Sequence, residues 1–170
     1  DGYFANSTVF RADWDGENFS FFEYQILFST GSSNCQVITF NGDSYLVISN
    51  SETGVPGNVY PSELYRWDNM TKLFGSVHLL EESASSQQTA FYEGIEGYKF
   101  LGLAKRYNDH GGASNYSIIY NWNGTSFEIF QRIETPEASD VIFFQIDGIH
   151  FLAFAARVVE LFAWDEDFQK

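Results

Sequence analysis

Short apolar and aromatic runs, separated by Gly, Asn and Asp, fill most of the chain, and a helical period is hard to find anywhere in it. The nearest helical candidate, Leu79 to Gln88, is better read as a surface loop or hairpin. Two patterns recur along the runs. The first is an apolar or aromatic residue, a spacer, Trp, then Asp or Asn: Leu64-Tyr65-Arg66-Trp67-Asp68, Ile119-Tyr120-Asn121-Trp122-Asn123 and Leu161-Phe162-Ala163-Trp164-Asp165, with Ala12-Asp13-Trp14-Asp15 as a looser copy. The second is an acidic or amide residue, Gly, two variable residues, an aromatic, then Leu. It occurs at Asn41-Gly42 with Tyr45-Leu46, at Glu96-Gly97 with Phe100-Leu101, and at Asp147-Gly148 with Phe151-Leu152. Both patterns return with a period of roughly 50 residues, the mark of a repeat architecture.

Asp or Asn with Gly close behind, as in Trp14-Asp15-Gly16 and Trp122-Asn123-Gly124, supplies the positive-φ residues that tight hairpins demand. The tryptophan therefore ends one strand, and Phe19, Phe74, Phe127 or Phe168 belongs to the next. Gly42, Gly97 and Gly148 mark a second turn in each unit. Each unit then has four short strands: one to the tryptophan, one through Gln25, His78 or Gln131, one up to the Gly turn, and one through the aromatic-Leu pair. The whole chain, 1–170, is one repeat region. Its units span about 7–49, 62–104 and 116–155, with partial units at 1–6 and 161–170. Two polar, aperiodic loops, 50–61 and 105–115, connect them.

Four-stranded units of this length predict an all-β chain built of propeller-type blades, and propellers close with four to eight of them. Three full units with partial ones at both ends fall short of a ring. The expectation is a segment of a longer chain, association between chains, or a strand set shared between the two termini.

Composition fits this reading: 44% apolar and 19% aromatic residues can build a core of strands. Nine basic residues against 23 acidic ones give a net charge of −14, which opposes nucleic acid and anionic lipid as partners. Lys105-Arg106, the only adjacent basic pair, reads as solvated surface in a polar loop. No apolar run is long enough to span a membrane, since Asp147, His150, Arg157 and Glu160 interrupt the most apolar region. Asn-x-Ser/Thr sequons at Asn6, Asn18, Asn69, Asn115 and Asn123 exceed chance and predict a secreted glycoprotein. Cys35 is the one cysteine; it pairs outside this segment, for instance in an interchain disulfide, or stays a buried free thiol.

Catalytic signals are weak. His78, His110 and His150 have no ligand spacing, and no nucleophile motif or phosphate-binding Gly loop is present, so no catalytic residue and no cofactor is assigned. Asp13, Asp15 and Glu17 alternate as in a calcium loop but lack its later Glu, and they sit where the other units have a plain hairpin. Glu81-Glu82 and Asp165-Glu166-Asp167 read as acidic turns rather than as the paired carboxylates of a glycosidase.

In the third unit the patterns become specific. Tyr120-Asn-Trp122-Asn123, Phe127-Glu-Ile-Phe-Gln131-Arg-Ile133-Glu-Thr135 and Gly148-Ile-His-Phe151-Leu-Ala-Phe-Ala155 resemble the epilepsy-associated repeat (EAR, or EPTP). This family includes the secreted leucine-rich glioma-inactivated proteins, a very large adhesion receptor, and a thrombospondin-type laminin G relative. The first unit departs at Ala12-Asp13-Trp14, and the second has His78 for Gln and Gly102 for Ala. The resemblance implies a seven-bladed propeller that binds extracellular proteins, often receptor ectodomains, without catalysis. It assigns no contact residue. Loops on a rigid scaffold usually carry function, so loops 50–61 and 105–115 are the expected contact surface, with Tyr60, Tyr107 and Tyr116 as exposed candidates. The alternatives are a glycan-binding lectin and a structural repeat protein that self-assembles between chains.

Overall fold

The computed structural model describes residues 6–51, 60–94, 97–107, 113–157 and 160–163, the last four as backbone only. All thirteen regular elements among them are strands: β1 (Ser7–Trp14), β2 (Phe19–Leu27), β3 (Ser32–Phe40), β4 (Asp43–Asn50), β5 (Glu63–Asp68), β6 (Leu73–Leu79), β7 (Ser86–Glu93), β8 (Lys99–Lys105), β9 (Tyr116–Trp122), β10 (Phe127–Glu134), β11 (Asp140–Ile146), β12 (Ile149–Ala155) and β13 (Glu160–Ala163). They form four antiparallel meanders in chain order: β1-β2, β3-β4-β5-β6, β7-β8-β9-β10 and β11-β12-β13.

The sheets are offset from the sequence repeat by two strands. The last two strands of one unit open a sheet that the first two strands of the next unit complete. The long connection between β4 and β5 therefore joins strands that pair with each other, as does the one between β8 and β9. Sheet-to-sheet steps are the short segments 28–31, 80–85 and 135–139.

The Gly turns behave as their chemistry requires. Asn41 and Gly42 have φ of 53° and 82°, and Asp147 and Gly148 have 53° and 80°. Both pairs are two-residue loops, with Phe40 opposite Asp43 and Ile146 opposite Ile149. Consecutive positive φ is the type I′ hairpin, which matches the right-handed twist of the strands.

Three buried layers hold the sheets together. Leu27 of β2 meets Leu46, Ile48 and Tyr65 of the second sheet. Ile38, Phe40, Tyr45, Val47 and Leu64 of the second sheet meet Leu101, Leu103, Ile118, Tyr120 and Phe127 of the third. The third sheet's other face, with Phe100, Ile119 and Ile133, meets Val141, Leu152 and Phe154 of the fourth. Strand β8 is consequently buried along its whole length. The closest approach between neighbouring sheets is at their lead strands, β3 to β7 and β7 to β11.

The segment from Leu79 to Gln88 departs from the sequence expectation of a surface loop. Leu80, Ser83, Ala84, Ser85 and Ser86 are buried, and Glu82 and Ser85 take positive φ (55° and 62°). A tight turn between two stacked sheets has neighbours on both sides, so its small residues lie inside. Ser83 Oγ donates to Leu80 O at 2.6 Å, and Ser62 Oγ and Ser86 Oγ share a hydrogen bond of 2.6 Å.

Gly102 on β8 sits close against β11 of the fourth sheet. A Cβ placed there would lie 3.0 Å from the Phe143 ring and 3.1 Å from Val141 Cγ2. Glycine thus fits where the repeat pattern has alanine because Phe143 fills the space. Gly102→Val is expected to destabilise the fold by about 1–3 kcal/mol through overpacking. The midpoint of chemical denaturation checks this.

Candidate functional site

The repeated residues have identifiable work at two ends of the strands. At the end carrying the tight hairpins, each Trp faces its cross-strand Phe: Trp14 with Phe19, Trp67 with Phe74, and Trp122 with Phe127. Their ring centroids are 4.7, 5.1 and 5.1 Å apart. The Asp or Asn after each Trp closes the loop with its side chain. Asp15 Oδ1 accepts from the amides of Glu17 and Asn18, Asp68 Oδ1 from those of Met70 and Thr71, and Asn123 Oδ1 from those of Thr125 and Ser126. These amide bonds hold the Asp15 and Asp68 carboxyls below the ordinary range. Positive φ occurs at Gly16 and Gly124 as expected, but in the middle hairpin, where Trp67 and Phe74 stand further apart in sequence, it falls on Lys72.

Two further repeated residues tie one sheet to the next. Gln25 on β2 reaches Phe74 on β6: its Nε2 donates to Phe74 O (2.7 Å), and Phe74 N donates to its Oε1 (2.8 Å). One unit later, His78 Nε2 lies 3.1 Å from Phe127 O. The second link is the tyrosine two residues before Trp67 and Trp122. Tyr65 donates to Phe28 O (2.8 Å), sharing its proton with the Glu63 carboxylate, and Tyr120 donates to Glu81 O (2.6 Å). Burial pushes the titration of both phenols upward. The Tyr-x-Trp and Phe-x-x-x-Gln spacings are thus the inter-sheet links themselves.

At the opposite end lie the sheet-to-sheet steps and the longer connections. Residues 52–59 and 108–112 of the two expected contact loops, with His110, lie outside the described residues. All three candidate tyrosines are half-buried rather than exposed. Tyr60 packs edge-on against Phe28 (5.9 Å), and Tyr107 bridges to Ala113 with the Arg106 guanidinium 5.5 Å from its ring. Tyr116 donates to Glu82 Oε2 (3.3 Å) and lies 5.3 Å from Lys105 Nζ.

Lys105 overturns its reading as solvated surface. It is fully buried, and its Nζ donates to Glu82 O at 2.5 Å. The cause is the topology: the residue ends a central strand and meets the turn that enters its sheet. Arg106 is exposed. Glu82 gathers this corner, pairing with the Arg132 guanidinium and with Tyr116. The pair with Arg132 holds the Glu82 carboxyl below its ordinary range, helped by Tyr116 and Lys105 against the opposing effect of burial. Sequence reasoning missed this corner because its members come from four separate segments.

Cys35 is free and exposed on β3, which sets aside the buried-thiol alternative; the two-stranded first sheet does not cover that strand. Asp13 pairs with Arg11 at 2.7 Å, and Asp15 is spent on its turn. His150 bonds the Tyr92 hydroxyl across two sheets. No group of three or more His, Cys, Asp or Glu is gathered as a metal site among the described residues. Asp165, Glu166, Asp167 and Phe168 lie outside them. Asn6, Asn18, Asn69, Asn115 and Asn123 are all exposed. Three of them, Asn18, Asn69 and Asn123, sit in the tight hairpins, while Asn6 and Asn115 lie at the opposite end. The chain matches no family model, and no curated protein matches it.

Gln25→Ala removes two inter-sheet bonds and is expected to cost about 1–3 kcal/mol. His78→Gln restores a side chain able to donate and accept together, so it is expected to be neutral or to stabilise by up to about 1 kcal/mol. Equilibrium unfolding of both variants separates a linking role from simple burial. For Glu82 the depressed carboxyl contributes stability above its unfolded titration range, and that contribution is lost as pH falls through the folded value. Glu82→Gln is therefore expected to flatten the acid limb of the stability profile. Because the side chain is about a third exposed, the effect at neutral pH is at most about 1 kcal/mol.

Proposed function

We propose that this chain is part of a β-propeller and serves as a non-catalytic protein-recognition module outside the cell, in adhesion, matrix or receptor binding. The observation that carries the reading is the way successive meanders meet: lead strands β3, β7 and β11 come closest, and the sheets fan away from them. Four-stranded antiparallel sheets arranged radially are propeller blades. The described residues do not close into a ring, so closure is part of the proposal.

The resemblance to the EAR repeat supports the same architecture, and the inter-sheet roles of Gln25 and Tyr65 give its spacings a physical reason. Five exposed sequons support passage through a secretory route. With a net charge of −14, a partner offering basic or aromatic surface is favoured over any polyanion. The end of the strands carrying Tyr60, Tyr107 and Tyr116 is the recognition surface, because connections there are long and anchored by buried hydrogen bonds. Asn50 N donates to Ser62 Oγ (3.2 Å), and Lys105 N donates to Ser117 Oγ (3.2 Å).

The test is binding of the glycosylated chain, secreted from a eukaryotic host, to an array of purified receptor ectodomains and, in parallel, to a glycan array. Saturable binding to an ectodomain is expected, weakened at least tenfold by Tyr107→Ala with Tyr60→Ala. Binding to glycans alone would replace this reading with a lectin. Ectodomain binding indifferent to both substitutions would move the surface elsewhere.

A further inference from the structure

The fold treats one of the five sequons differently from the others. Glycan transfer takes place on the Asn Nδ2 and reads the hydroxyl two residues on, so both groups have to stand free of the fold. At Asn6, Asn18 and Asn115 the next two residues belong to strands β1, β2 and β9. Ser117, the hydroxyl residue of the Asn115 sequon, is fully buried and accepts from Lys105 N at 3.2 Å. The Asn69 and Asn123 sequons lie wholly within hairpin loops. In the Asn123 loop the carboxamide is already used: its Oδ1 accepts from the amides of Thr125 and Ser126, and its Nδ2 donates to Glu128 Oε1 at 2.5 Å. In the Asn69 loop Asp68 closes the turn one residue earlier, accepting from the amides of Met70 and Thr71. The Asn69 carboxamide therefore has no hydrogen-bond partner among the described residues, and Asn69, Met70 and Thr71 are all exposed.

This loop opens strand β6, an outer edge of its sheet. Among the described residues that strand shows Leu73, Val77 and Leu79, 43%, 51% and 54% exposed, and Met70 at the tip of the loop is 92% exposed. An apolar edge with open backbone groups invites pairing with another chain unless something bulky or charged stands beside it. We propose that Asn69 is the principal N-glycosylation site of this chain, and that its glycan shields the β6 edge. The inference rests on the extracellular reading above, because such glycans are added on the secretory route. A hydrophilic glycan at the entrance of the strand keeps other molecules off Met70 and Leu73. The opposite end of the strands, with Tyr60, Tyr107 and Tyr116, stays clear of it for recognition.

Glycopeptide mass spectrometry of the 170-residue chain, secreted from a eukaryotic host, tests the site. Asn69 is expected to be occupied in most molecules and Asn115 in few. Light scattering against concentration tests the shield. Asn69→Gln and Thr71→Ala each remove the sequon, and Thr71→Ser keeps it. Both sequon-less variants are expected to begin to aggregate at about threefold lower concentration than the parent, and Thr71→Ser at the parental one. Enzymatic removal of glycans from the folded parent should lower its onset in the same way, and removal from the folded Thr71→Ala variant should change nothing further, which separates shielding from a failure to fold. A bare Asn69, with or without glycans elsewhere, overturns the inference. So does an occupied Asn69 whose glycan can be removed without lowering the onset. The recognition reading fails separately, when a chain glycosylated at Asn69 binds nothing on the ectodomain array.

Discussion

A sheet that is apolar on both faces cannot stand alone in water, and this constraint governs the whole chain. Strand β8 is buried end to end, and β9 is buried through its middle. Such strands need a sheet in front and another behind, which a single sandwich does not provide for every member. Stacking in chain order meets the need with short connections, because each sheet-to-sheet step spans only a few residues. The hydrophobic layers supply the bulk of the stability. Register between sheets comes from the directional bonds of Gln25, His78, Tyr65 and Tyr120.

Those bonds also answer a second problem. Strands β6 and β10 are outer edges, and edge strands expose unpaired backbone groups that invite pairing with other chains. The side chain of the preceding sheet covers part of that edge, as Gln25 does for both backbone groups of Phe74. One side-chain position, Gln25 in the first unit and His78 in the second, thus fixes the stacking and covers the edge. At the opposite end the same economy appears in Lys105, whose buried ammonium holds the turn entering its own sheet.

Much of this was legible in the sequence, and the reasons are local. The turns at Gly42 and Gly148, the hairpins from Trp14, Trp67 and Trp122 to their Phe partners and the four strands of each full repeat follow from residue chemistry within a few positions, and the structure has them. The grouping of strands into sheets was not legible, because pairing of β4 with β5 across the long 51–62 connection is a nonlocal choice. The same limit hid Lys105: in sequence it opens a polar loop, and only the stacked turn at Glu82 buries it. Tyr60, Tyr107 and Tyr116 were expected as exposed side chains; each instead lies half-buried against a neighbour that the sequence does not place beside it. Gln25 stood out as a repeated residue, yet its partner lies 49 residues away.

The account stands or falls on whether side chains of one sheet hold the backbone of the next. Native-state hydrogen exchange at the Phe74 amide measures this directly. That amide lies on an edge strand, and its acceptor is the Gln25 side chain at 2.8 Å. Slow exchange at Phe74, lost selectively in Gln25→Ala while the neighbouring strands keep their protection, is the expected result. Exchange at Phe74 as fast as at an uncovered edge amide, in the parent chain itself, would contradict it.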